Sequence, residues 1–319
     1  MTEVETIIIG AGPAGSSAAR ELLRNDRECL VLDRKTMPRL KLCAGWITPK
    51  VLSDLDIGPD EYPHGKIKLE HIKFYFGRRH KRSLKAAAEQ YSIRRIEFDN
   101  WLLQRSGAKL EEHTVRNISR ENGSFVIDGK YRCQNLIGAG GTNCPVKKHF
   151  FGQDSGRLIV TQEIEYETTP QSETCMLWFP YAGAFGYAWY VPKVGAVNVG
   201  FGGLRAQNVN WDKGGLWTEF VALLKREGCL NEDPPTPKGY SYYLAGRQKK
   251  VKADNAYIVG DAAGLATVDL AEGIGPAVES GQMAVRDILG KADYSTNRIL
   301  KYSLPWTYRI FRNMVSWLP

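Results

Sequence analysis

Three glycines, Gly10, Gly12 and Gly15, stand in the order G-x-G-x-x-G, and an acid, Asp33, lies 18 residues beyond the last of them. The first permits a tight turn, the second lets backbone approach a pyrophosphate, and the third lets a helix pack closely on a strand. A carboxylate at about 20 residues' distance suits the hydroxyls of a ribose. A helix starting at this turn aims unpaired N–H groups and the positive end of its dipole at phosphates. The chemistry implied is the binding of a dinucleotide.

The elements needed to hold these residues are legible around them. Thr6 to Ile9 is a short apolar run, Ser16 to Leu23 has helical spacing, and Cys29 to Leu32 is a second apolar run ending in Asp33. Strand, glycine turn, helix, strand and acid are therefore in register. Leu136-Ile137 runs into a second glycine turn, Gly138-Ala139-Gly140-Gly141, and Ala256 to Val259 runs into Gly260-Asp261-Ala262-Ala263-Gly264. Glu272-Gly273-Ile274-Gly275-Pro276 then opens a helix expected over Ala277 to Leu289, with Pro276 at its first position. Gly281 inside that helix signals close backbone packing.

Elsewhere the pattern is mostly extended. Ile67 to Phe76 alternates, Ser83 to Ala87 reads as its returning strand, and Val115, Ile118 and Phe125 to Ile127 suggest a small meander. Tyr91 to Gln104 has helical spacing, and Trp217 to Lys225 is a second helix ended by Gly228. Leu158 to Glu167, Cys175 to Phe179, Gly186 to Val191, Ala196 to Phe201 and Tyr240 to Leu244 are rich in aromatic and β-branched residues, as antiparallel strands are. The fold class expected is α/β, or α+β overall: a Rossmann-type domain with an antiparallel sheet inserted and helices at the C-terminal side.

The 319 residues suffice for one large or two fused domains. Net charge is +8, with 43% apolar and 24% charged residues, which suits a soluble globular protein with anionic partners. Apart from Arg78-Arg79-His80-Lys81-Arg82 the basic residues are dispersed and accompany no nucleic-acid motif, so no nucleic-acid partner is expected. The six cysteines lack C-x-x-C spacing, so free thiols in a reducing, cytoplasmic setting are expected, with no metal site. No apolar stretch is long enough to span a bilayer, and no signal peptide is expected, since the first apolar run is already the fingerprint strand.

Four stretches taken together carry a resemblance: Gly10 to Gly15, Arg95 to Asp99, Gly138 to Gly141, and Gly260 to Gly275. They resemble the FAD-dependent oxidoreductases of the aromatic-hydroxylase type, and most of all the geranylgeranyl reductase family. Tyr187-Ala188-Trp189-Tyr190-Val191-Pro192, then seven residues, then Gly200-Phe201-Gly202, is similar to that family's Y-x-W-x-F-P…G-x-G signature, with Val191 in place of Phe. The resemblance implies that Asp261 binds the ribityl chain and that Gly273 and Ile274 begin a helix directed at the flavin pyrimidine. It implies that Arg95, in an R-x-x-F-D match with Phe98 and Asp99, lies near the flavin. Cys43-Ala44-Gly45 falls where the family places a cysteine loop against the flavin, and the Tyr187/Trp189 motif where it lines a prenyl cavity. Pro13, Ala14, Arg34, Ala44 and Val115 complete the expected cofactor contacts. Where the family has G-A-D-G, this chain has Gly138-Ala139-Gly140-Gly141 and lacks the carboxylate.

The activity implied is hydride transfer from reduced FAD to one carbon of an isoprenoid double bond, with a proton to the other. Cys43, Tyr187 and Trp189 are the candidate catalytic residues. NAD(P)H or a ferredoxin is the expected external reductant, since a second G-x-G-x-x-G is absent. Rival readings are a flavin-dependent halogenase or hydroxylase, a quinone-linked electron-transfer flavoprotein, and a flavoprotein without turnover. The expected division is 1–62, 88–150 and 250–290 for FAD, 63–87 and 151–249 for substrate, and 291–319 as a C-terminal helical segment. In that segment Trp306, Ile310, Met314 and Trp317 share a stripe. It reads either as a cap on the core or as a peripheral contact with an anionic membrane. A monomer is expected.

Overall fold

The computed structural model describes residues 1–76, 82–152, 156–182, 186–205, 214–246, 250–299 and 301–303. The basic cluster at 78–81 and the stretch 304–319 lie outside the described residues. The chain forms two units. One comprises Met1–Arg39, Ile96–Gly156 and, among described residues, 242–303; the other comprises Leu40–Arg95 and Arg157–Ser241.

The first unit is built on a six-stranded sheet in the order Lys252–Ala253, Ala256–Ile258, Asn135–Gly138, Thr6–Ile9, Cys29–Asp33, Lys109–Glu112. All neighbours are parallel except the short hairpin Lys252–Ala253 with Ala256–Ile258. Parallel strands covered on both faces read as continuous apolar runs, and Ile7, Ile8, Val31, Leu32, Leu136 and Ile137 are all fully buried. The chain enters at the centre on Thr6–Ile9, builds outward through Cys29–Asp33 and Lys109–Glu112, then returns to the other side with Asn135–Gly138. The direction of winding therefore reverses beside Thr6–Ile9, and a crevice at the carboxyl end of such a strand is where dinucleotides bind. Lys109–Glu112 was not foreseen as a strand; three of its four residues are charged because it lies at the sheet edge.

The helix Pro13–Leu23 follows the central strand and packs on the helix Ile274–Ile288. A Cβ at Gly281 would stand 2.3 Å from the carbonyl oxygen of Ala14, so only glycine allows this approach. The small sheet Thr2–Glu3, Tyr131–Cys133, Ser124–Ile127, Ile118–Glu121 completes the unit.

The second unit is an eight-stranded sheet in the order Lys238–Tyr243, Leu158–Glu167, Ala196–Leu204, Gly186–Lys193, Cys175–Phe179, Lys66–Phe76, Arg82–Ile93, Trp46–Ile47. Its helix, Gly214–Arg226, buries Phe220, Leu223 and Leu224 among Trp178, Tyr190, Val199 and Phe201.

Two expectations are corrected here. Residues 40–62 and 88–95, assigned by sequence to the dinucleotide domain, belong to the sheet unit. The reason is pairing: Trp46 and Ile47 form a strand against Ser92 and Tyr91. The same ladder holds Tyr91 to Ile93 extended, so the helix begins at Arg95 and not at Tyr91.

Candidate active site

The glycines of the fingerprint divide by what each must avoid. Gly10 has φ +114°, and a Cβ there would stand 2.4 Å from the carbonyl oxygen of Ala139. A Cβ at Gly15 would stand 1.9 Å from the carbonyl oxygen of Gly10. Both are required by the protein's own packing. Gly12 is different: the nearest atom to a Cβ would be Nη2 of Arg39, at 3.6 Å. The protein's own packing does not require a glycine here, and the open space is what an approaching phosphate would need. Gly12 is also the N-cap of Pro13–Leu23, no side chain caps that helix, and Pro13 fills its first position. The N–H groups of its first turn are thus presented without a side-chain acceptor, the arrangement that takes an anion.

Asp33 is buried at the end of Cys29–Asp33. Its Oδ2 accepts the Ala11 N–H (2.8 Å) and its Oδ1 accepts the Lys35 N–H (3.0 Å). The carboxylate thus fixes the glycine loop and keeps lone pairs for a ribose. Arg34, next in sequence, is exposed. The N–H of His113 donates to the Asp33 carbonyl (2.7 Å), and Val115, two residues on, is partly buried against the core of this unit. Sequence reading missed Arg39, whose guanidinium lies 3.8 Å from Asp33 and donates to the fully buried Asp99 (3.2 Å). Asp99 of the R-x-x-F-D match therefore anchors an arginine at the edge of the phosphate loop.

The returning chain places the second group of candidates in the same unit. Ala256–Ile258 pairs with Asn135–Gly138 and leads into a tight turn, Gly260–Ala263, where Gly260 has φ +59° and donates its N–H to Oγ of Ser280 (2.9 Å). Oδ1 of Asp261 lies so near Gly273 that a Cβ there would be 3.2 Å from it. Asp261 and the Gly273 N-cap of Ile274–Ile288 are therefore neighbours. At the missing family carboxylate, a Cβ on Gly140 would stand 3.3 Å from Cα of Cys144, so an acidic side chain would crowd Cys144.

Glu272, just ahead of this helix, is buried and accepts the Gly275 N–H (2.8 Å). Burial pushes its carboxyl up from 4.5 to about 7, with Asp269 and Asp261 adding repulsion. The unfolded chain gives up this proton near the ordinary value, whereas the folded chain holds it to about 7. Stability therefore falls as pH rises between those values and is level above them. Glu272→Gln is expected to remove about 3 kcal/mol of this pH dependence, measured as denaturant midpoints at roughly pH 4 and pH 8.

In the second unit, Tyr187, Trp189, Val191 and Lys193 share one face of their strand, as alternation demands. Trp189 pairs with Gly200, and Gly200 with Glu163. A Cβ on Gly200 would lie 2.6 Å from both Cζ2 of Trp189 and Cβ of Glu163, which explains the first glycine of G-x-G. Trp189 donates its indole N–H to Asn198 (2.6 Å), and Asn198 donates to Glu163 (3.2 Å). Tyr187 stacks on Phe179 at 4.8 Å and meets Trp189 at 5.5 Å, while Phe74 and Phe76 lie within 6.5 Å of Phe179. This face is thus aromatic at one end and hydrogen-bonded at the other. The opposite face packs on the helix.

Burial raises the Glu163 carboxyl, opposed by Asn198, Lys193 and Thr161. Lys193, fully buried, pairs with Glu165 and donates to the carbonyl of Cys43 (3.1 Å). Cys43, Ala44 and the buried Arg95 belong to this unit too. Glu163, Glu165, Lys193 and Asn198 were not singled out from sequence. The available signal was acids alternating with apolar residues within an expected strand, Glu163, Glu165 and Glu167.

Comparison with known proteins agrees with this construction. Residues 8–41 match the model of an NAD(P)-binding Rossmann-like domain. An uncharacterized protein of Methanosarcina barkeri is 31% identical over 303 residues, covering 90% of this chain and 75% of that protein. Digeranylgeranylglycerophospholipid reductase 3 of Methanosphaera stadtmanae is 28% identical, covering 94% of this chain and 82% of the relative. The chain belongs to the geranylgeranyl reductase family of FAD-dependent oxidoreductases. A geranylgeranyl bacteriochlorophyll reductase-like protein of Thermoplasma acidophilum shares the fold, with TM-score 0.77 at 18% identity over 99% of this chain and 83% of that one. The flavin-dependent brominase Bmp2 shares the fold as well, with TM-score 0.70 at 15% identity, covering 98% of this chain and 84% of that one. Among the described residues no helix is long and apolar enough to cross a membrane.

Proposed function

We propose that this family member uses FAD to reduce isolated carbon–carbon double bonds in a geranylgeranyl or related isoprenoid lipid. The observation that carries the reading is the sheet face of Tyr187 and Trp189, whose packing over Gly200 only a glycine allows, in a chain that also holds a dinucleotide cradle. An aromatic and aliphatic face suits a long apolar chain, and relatives are named as reductases of such lipids.

The residues present fit FAD. The bare Gly12 and the uncapped helix start suit the pyrophosphate, and Asp33 the ribose. Asp261 beside the Gly273 N-cap suits the ribityl chain and ring, with Ile274 opening the helix. Gly10, Pro13, Ala14, Gly15, Arg34, Val115, Gly260, Cys43, Ala44 and Arg95 are the remaining proposed contacts. The chemistry that FAD supplies when bound is hydride transfer. The chain's own contribution is to orient the alkene and exclude water on the Tyr187/Trp189 face. Cys43, Tyr187 or bound water is the proposed proton source. NAD(P)H or a ferredoxin is the proposed electron donor, and the lipid would be taken up by a monomer at the surface of a membrane.

The test is anaerobic reduction of the FAD-loaded protein, followed by addition of a geranylgeranyl lipid. Reoxidation with appearance of saturated product is expected. Turnover that needs oxygen and chloride or bromide would favour the halogenase reading, which the Tyr187-x-Trp189-x-Val191-Pro192 motif and the brominase fold keep as the second choice.

A further inference from the structure

We propose that Lys193 and Glu165 form a buried clamp that sets the position of the Cys43–Gly45 loop, making Lys193 a positioning residue for the reaction. The proposal rests on the reading that this loop faces the flavin. A lysine with no exposed surface requires acceptors, and one carboxylate neutralises it. Its other acceptor is the main-chain carbonyl of Cys43, at 3.1 Å. The strands of the sheet are already paired through their own ladders, so this contact adds nothing to the sheet; it holds a loop.

The loop is shaped to receive the ammonium. Gly45 has φ +66°, and a Cβ there would fall 2.7 Å from Nζ of Lys193 and 2.1 Å from the carbonyl oxygen of Ile93. The Gly45 carbonyl accepts the Ile93 N–H (2.9 Å), and the Gly45 N–H lies within hydrogen-bond reach of Sγ of Cys43 (3.3 Å). The thiol is therefore oriented by an amide whose residue lies directly against Lys193. Glu165 also contacts Nε of Arg94 (3.4 Å), and Arg94 reaches Glu167 (3.2 Å). Arg94 immediately precedes Arg95, where the helix begins. One carboxylate thus pairs with both Lys193, which holds the cysteine loop, and Arg94, the neighbour in sequence of the candidate flavin arginine. Lys193 is four residues beyond Trp189 on the same strand face, so the strand that bears the substrate motif also fixes the loop.

The experiment measures iodoacetamide alkylation at Cys43, resolved from the other five cysteines by peptide mass mapping, in apo and FAD-loaded protein. Lys193→Met alone leaves a buried carboxylate without its partner. Lys193→Met is therefore made both singly and with Glu165→Gln, which leaves no lone charge. The Cys43 alkylation rate is expected to change by roughly tenfold in the double variant, the scale of one lost charge-assisted hydrogen bond. In the loaded protein the visible flavin spectrum should shift, and kcat should fall with KM little changed. A double variant that unfolds at the wild-type midpoint and alkylates at the wild-type rate would overturn the clamp. Where the double variant does not fold, Glu165→Gln alone, which removes the charge that neutralises Lys193, is read by the same two outcomes. An altered alkylation rate without protection of Cys43 by FAD, and with an unchanged spectrum, supports the clamp and overturns the flavin-facing reading beneath it.

Discussion

Gly15→Ala is expected to give protein that purifies without flavin. The new methyl would stand 1.9 Å from the carbonyl oxygen of Gly10, a backbone atom of the loop proposed to hold the phosphates. Neither partner can turn away, because Gly10 is itself pressed against Ala139. Overpacking of this kind costs about 1–3 kcal/mol, and a loop displaced by the clash should weaken FAD binding roughly a hundredfold. Gly12→Ala is the informative partner. Its methyl would meet no protein atom closer than 3.6 Å, so unfolding should stay at the wild-type midpoint while FAD binding falls. Equilibrium titration of apoprotein with FAD, with thermal unfolding alongside, checks both. If Gly12→Ala bound FAD as tightly as wild type, the phosphate assignment of that turn would be wrong.

The second large effect is expected from Gly200→Ala. The added methyl would meet Cβ of Glu163, Cζ2 of Trp189 and the carbonyl oxygen of Gln162 within 2.7 Å. Trp189 can yield only by giving up its 2.6 Å hydrogen bond to Asn198, which in turn serves Glu163. Displacing a group that positions substrate by about 1 Å lowers turnover roughly a hundredfold. FAD occupancy should be unchanged, because Gly200 belongs to the sheet unit and the phosphate cradle does not. Steady-state reduction of the isoprenoid substrate, normalised to bound flavin, measures this. Wild-type kcat/KM would show that the Trp189 face does not orient the substrate.

What the sequence displayed, and what it hid, follows from how far each signal reaches along the chain. Gly10, Gly12, Gly15 and Asp33 lie within one strand–helix–strand passage, so their spacing alone carried the expectation of a dinucleotide site. Gly260–Ala263 and Gly273 were legible as a motif, and Asp261 does lie against Gly273. Arg39 was not legible, because Asp33 is six residues before it and Asp99 sixty after it. The set Thr161, Glu163, Asn198 and Trp189 exists only once three strands are paired in register. Lys109–Glu112 was hidden for the opposite reason: an edge strand needs little apolar content, so its charges looked like a loop. The boundary error at 40–62 arose from Trp46 and Ile47, whose partners in the ladder, Ser92 and Tyr91, are distant in sequence.

The interval between Pro192 and Gly200 is also a ruler. Lys193 pairs with Ala196 across the two-residue turn Val194–Gly195, where Gly195 has φ +67°. Counting on from that turn is what brings Gly200 opposite Trp189 and Gly202 opposite Tyr187. One residue added in the first arm ahead of Tyr190 would turn each later side chain of that arm to the other face, sending the lysine into the helix-packed core and a core tyrosine out of it. Among the intervening positions Lys193, Gly195 and Asn198 are held to their identities by a loop contact, a left-handed turn and a hydrogen bond, while Val197 and Val199 answer to packing. The number of residues answers to geometry, so in this hairpin length constrains the site as much as composition does.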